Sequence, residues 1–81
     1  MDKYTFVHTR CLDGELEMTK VEVMSGLSRA DAEGCFWDKV QTLMGELLDN
    51  EFLAGKVYIR DFKALVRIQG VHHVVAIIKE D

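Results

Sequence analysis

SRADAEGCFWDKVQTLMGELLDNEF, running from Ser28 to Phe52, is the stretch whose reading decides the fold. It is the one long run with helical periodicity, and strand-like segments stand on either side of it. Ser28 can cap the free amides of a first helical turn. Asp31, three residues on, completes an aspartate version of the capping box and sets a negative charge at the positive end of the helix. Wound at about 100° per residue, Ala32, Phe36, Val40, Leu43 and Leu47 fall on one line that must face a core. Asn50, Glu51 and Gly55-Lys56 weaken the pattern, so the helix is expected to end between Asp49 and Phe52.

The opposite line carries Asp31, Asp38, Thr42, Glu46 and Asp49, with Gly34 and Gly45 among them, and is expected to face solvent. Between the two lines runs a shoulder of Trp37, Met44 and Leu48, about 70–90° from the centre of the buried stripe. A wide core would swallow this shoulder; a narrow one leaves it exposed.

Outward from the helix, Lys3 to Leu12 and Glu15 to Met24 are β-rich runs joined by Asp13-Gly14, a pair suited to a two-residue type I′ hairpin. That turn predicts a register in which Leu12 faces Glu15, Arg10 faces Glu17, His8 faces Thr19, Phe6 faces Val21 and Tyr4 faces Val23. Tyr4, Phe6, Val21 and Val23 then lie under the helix. The other hairpin face shows Val7, Cys11, Leu16 and Met18 beside Thr5, Thr9, Lys20 and Glu22. Leu16 and Met18 mark a contact patch for a partner or a second copy, unless they are merely scattered exposed residues.

After the helix, Lys56 to Arg60 alternates with Val57 and Ile59 inward and Tyr58 and Arg60 outward. A loop from Asp61 to Ala64 leads to Leu65–Gln69, with Val66 and Ile68 inward. Gly70 turns the chain into Val71–Lys79, a nearly continuous apolar run that suits a strand flanked on both edges. The expected fold is therefore α+β: a single helix packed on one face of a mostly antiparallel sheet of four to five strands, in the order ββαβββ. In element order it resembles β-grasp domains, and that resemblance implies first and last strands paired in parallel at the sheet centre.

The 81 residues suit a single domain, 1–81. Hydrophobic content of 48%, 30% charged residues and no proline describe a globular chain rather than a disordered one. The start lacks the apolar run of a signal peptide, and no segment approaches the roughly 20 apolar residues that span a bilayer. A soluble, cytoplasmic protein without membrane contact is expected. Cys11 and Cys35, far apart and outside any C-x-x-C pattern, read as reduced thiols.

Chemistry is sparse. His72 and His73 are strand neighbours and project to opposite faces, so only one of them can join His8 or Cys11; no metal site and no cofactor are expected. Neither cysteine has a base and an oxyanion site in a recognisable arrangement, and Gly14, Gly26, Gly55 and Gly70 stand singly rather than in a phosphate-cradling turn. No enzyme is expected.

Charge is the more informative feature. The net charge of −4 opposes a general nucleic-acid coat. From Lys56 to Lys79 five cations stand against Asp61, a surplus of four, whereas Gly26 to Gly55 carries six acids against Arg29 and Lys39, a deficit of four. The first expectation is a small acidic interaction module that docks on another protein through Trp37, Met44 and Leu48 beside Asp31, Asp38, Glu46 and Asp49, since tryptophan is over-represented at binding hot spots. In size and charge it resembles phage-encoded modulators or inhibitors of nucleic-acid-handling complexes. The alternative is a single-stranded nucleic-acid-binding sheet using Tyr58, Arg60 and Arg67. A small-molecule or catalytic domain is a third class and needs a deep pocket between helix and sheet. Against all three stands a charged surface that is only solvated.

Overall fold

The computed structural model describes residues 2–12, 14–15, 17–49 and 56–80. The chain forms β1 (Tyr4–Leu12), β2 (Thr19–Leu27), α1 (Arg29–Asp49), β3 (Lys56–Arg60), β4 (Lys63–Ile68) and β5 (Val71–Lys79). This is the α+β order read from the sequence. The five strands make one antiparallel sheet in the order β2-β1-β5-β4-β3, with α1 on one face.

The helix begins where the cap places it. The Asp31 amide donates to Ser28 Oγ at 3.2 Å, and the Ala32 amide closes the first helical turn onto the Ser28 carbonyl at 2.9 Å. Ala32, Phe36, Val40 and Leu43 are at most 3% exposed. They meet Phe6 of β1, Ala64, Val66 and Ile68 of β4, and Val75 of β5, with Met24, Leu27, Cys35, Leu47, Phe62 and Ile77 packed around them.

The first hairpin departs from the expected register. The Glu15 amide does donate to the Leu12 carbonyl at 3.1 Å, and Gly14 takes φ +86°, so the chain turns there. β2 nevertheless starts only at Thr19, opposite Arg10, and a register shift between His8 and Thr9 then pairs His8 with Glu22, Val7 with Val23 and Phe6 with Met24. A one-residue shift inverts the strand, because side chains alternate with period two. Glu22 and Met24 therefore face α1. Val21 and Val23, expected under the helix, are 47% and 46% exposed. A second shift brings Leu27 opposite Tyr4.

The parallel pairing implied by the β-grasp resemblance is also corrected. β1 and β5 do lie side by side at the sheet centre, but they run antiparallel over the whole of both strands, Tyr4 opposite Lys79 to Leu12 opposite Val71. Strand count is the reason. The crossover through α1 leaves β2 and β3 pointing the same way, and each later hairpin reverses the chain, so the third strand after the helix opposes β1.

The first of the later hairpins is tighter than expected, and the second takes Gln69 out of the strand into its turn. The loop expected over Asp61–Ala64 is a two-residue turn, with Asp61 and Phe62 at φ 50° and 56°; Gln69 and Gly70 (φ 51° and 77°) form another. Positive φ at both central residues is the type I′ geometry that matches strand twist. A bulky residue there is strained, and Phe62 is held by its ring, edge-on to Phe36 at 5.5 Å.

α1 lies over β5, β1 and β4 and reaches β2, leaving β3 largely uncovered, so coverage of the sheet is incomplete. Val57 and Ile59 share the helix side with their partners Val66 and Ala64, yet each is 37% exposed instead of forming core. The sheet's other face has no layer over it among the described residues.

Candidate functional site

The shoulder of the helix is exposed. Trp37 is 44% and Met44 38% exposed, while the side chain of Leu48 lies outside the described residues. Ala30 and Gly34 share this flank by winding and are exposed as well. The indole sits on a rigid base, edge-on to Phe36 at 5.1 Å and 81°, and to Phe62 at 6.2 Å and 70°. Beside it a groove of about 540 Å³ is lined by Arg29, Trp37, Ile59, Arg60, Asp61 and Phe62. An aromatic held in this way loses little side-chain entropy when a partner covers it.

Ile59 and Phe62 are groove residues that the sequence reading assigned to core and to loop. The signal for Phe62 lay in the two alternating runs on either side of Asp61-Phe62, close enough for a tight turn. No local signal marks Ile59, because its exposure follows from where the helix stops across the sheet.

Of the acidic line, Asp31 and Asp38 are exposed and carry no ion pair among the described residues. Glu46 is exposed but engaged, and its charge favours the protonated form of His73. The Asp49 side chain lies outside the described residues. Around this line Arg29 Nε donates to Glu33 at 2.9 Å, and Lys39 approaches Glu22 at 3.9 Å.

Tyr58, Arg60 and Arg67 do share the face opposite α1, Tyr58 opposite Leu65 and Arg60 opposite Lys63. Tyr58 is 56% exposed and Arg67 half-buried; Arg60 reaches Asp61 at 3.6 Å with both side chains largely in solvent. The same face carries Val23, Leu65 and Ile78, each about half exposed, together with Val7, Val74, Lys20 and Lys63. Among the described strand residues of this face there is no carboxylate, because the bulge turned Glu22 toward the helix. Met18 is 46% exposed in the β1–β2 connection, and Leu16 lies outside the described residues.

His73, not His72, joins His8 on the helix side. His8 Nε2 and His73 Nδ1 are 2.9 Å apart, a distance at which one neutral ring donates and the other accepts. His8 is 4% exposed, and its Nδ1 has no hydrogen-bond partner among the described residues. Burial, and then the charge of His73, lower its pKa from 6.5 to about 4; burial lowers that of His73 too. Two rings are a pair, not a metal cage, and no group of three or more His, Cys, Asp or Glu among the described residues could hold an ion. Both cysteines are free thiols; Cys11 Sγ donates to the Glu15 carbonyl at 3.0 Å, and Cys35 packs against the core.

No protein-family model matches this chain, and neither the curated proteins nor the solved structures give a match. No helix among the described residues is long and apolar enough to cross a membrane.

Proposed function

We propose that this protein is a non-enzymatic docking module that captures another protein through the Trp37 flank of α1. One observation carries the reading: the only tryptophan of the chain is 44% exposed, braced on Phe36 and Phe62 at the lip of a groove. Met44 and the helix-side residues Val57 and Ile59 extend this apolar ledge, and Asp31 and Asp38 border the helix with no ion pair among the described residues. A partner suited to it presents apolar side chains beside cations, which the two carboxylates attract during encounter.

Affinity capture with wild type and with Trp37→Ala tests this. The variant should lose the captured partner while its melting temperature stays within about 4 °C of wild type, because a half-exposed side chain contributes about 1 kcal/mol or less to the fold. Unchanged capture, or a variant that no longer folds, refutes the assignment.

A second reading is favoured by the grouping of Tyr58, Arg60 and Arg67 with Lys20 and Lys63 on a face without strand carboxylates: single-stranded nucleic acid stacked on Tyr58. It predicts oligonucleotide binding that weakens with salt and with Arg60→Ala.

A further inference from the structure

The open sheet face and the exposed side of α1 are complementary to one another. The sheet face is apolar on its inner strands, at Val7, Leu65, Val74 and Ile78, and on its edge strands at Val23 and Tyr58, with Lys20, Arg60 and Lys63 near its margins and no carboxylate on its described strands. The helix presents Trp37 and Met44 beside Asp31 and Asp38, which have no cationic partner among the described residues. One surface is apolar and basic, the other apolar and acidic. Apart from Arg60, which also lines the Trp37 groove, the two surfaces lie on opposite sides of the sheet, so they do not satisfy each other within one chain.

We infer that the occupant of the open sheet face is the α1 surface of a second copy, giving a head-to-tail assembly in which each sheet lies between its own helix and its neighbour's. This rests on the docking reading above and names the partner as the chain itself. Sizes agree: the 21 residues of α1 extend about 30 Å, and five strands at about 4.8 Å spacing give a bed some 20–25 Å wide. A sheet covered by helices on both faces is also a standard way to bury two apolar sides. Charge opposes the symmetric alternative, sheet face on sheet face, because it sets Arg60, Lys63 and Lys20 of both copies in one interface without strand carboxylates to meet them. Joining two different surfaces repeats the contact from copy to copy and closes only as a ring. A concentration-dependent series of oligomers is therefore expected rather than a simple dimer.

Mixing two variants tests this. Lys20→Glu with Lys63→Glu reverses the sheet margin; Asp31→Lys with Asp38→Lys reverses the helix margin. All four side chains are exposed, so circular dichroism should show both variants folded. In sedimentation velocity at low salt, wild type should associate and then dissociate as salt rises, and each variant alone should associate more than about tenfold more weakly. Mixed in equal amounts, the variants should associate again in 1:1 proportion, because the native helix of one meets the native sheet of the other and the two reversed margins are also opposite in charge. Three results overturn the inference: a wild type that stays monomeric, association that survives both reversals, or a mixture that does not associate again. A monomeric wild type that still captures another protein through Trp37 leaves the docking reading standing. A sheet-margin variant whose one defect is lost oligonucleotide binding moves that face to nucleic acid.

Discussion

Acid should destabilise this protein through His8 before its carboxylates titrate. His8 is buried beneath α1, with Arg10 of β1, Glu22 of β2, Lys39 of α1 and His73 of β5 acting on its charge, and its folded pKa lies near 4 against 6.5 unfolded. A depressed folded pKa means that the unfolded chain binds the proton first. The stabilisation of neutral His8 is complete above 6.5 and is lost as pH falls toward 4. Two and a half pKa steps correspond to about 3 kcal/mol in full, of which about 1.3 kcal/mol is lost between about pH 7.5 and about pH 5.5, a window still above ordinary carboxylate titration. His73, also lowered, adds in the same direction. Urea unfolding followed by circular dichroism reads this directly. With a slope near 1 kcal/mol per molar, the wild-type midpoint should fall by roughly 1 M between those two conditions. His8→Leu, which leaves no ring to protonate, should cut that fall by more than half. Equal falls in wild type and variant would refute the argument, because the proton would then be landing elsewhere.

Two smaller tests concern the ends of elements. Ser28→Ala removes the acceptor for the Asp31 amide and should lower unfolding free energy by about 1 kcal/mol, read from the same urea curves. Gln69→Asn creates Asn-Gly in a turn whose first central residue already has φ 51°, and should raise the melting temperature by about 2–4 °C, because asparagine tolerates that conformation better than glutamine.

Much of the fold is local and was legible from the residues themselves. The cap at Ser28, the stripe from Ala32 to Leu47 and the alternation in each strand are set by neighbours within a few positions, and the elements formed in the expected order. The exposed shoulder was readable only as an alternative. Winding places Trp37 on a flank, but whether a flank is buried depends on the width of what lies beneath it.

The sequence by itself determined how many elements there are, their types and the apolar line of the helix, because period and capping are properties of the chain near each residue. Only the tertiary structure decided which residues share a face. One extra residue in β2 carried Glu22 and Met24 under the helix and left Val21 and Val23 outside, and the same pairing cleared the open sheet face of strand carboxylates. It also set His73 against His8 across β1 and β5, residues 65 apart in the chain. Register and coverage are settled by contacts between distant segments, where a shift of one position reverses every side chain and has no local signature.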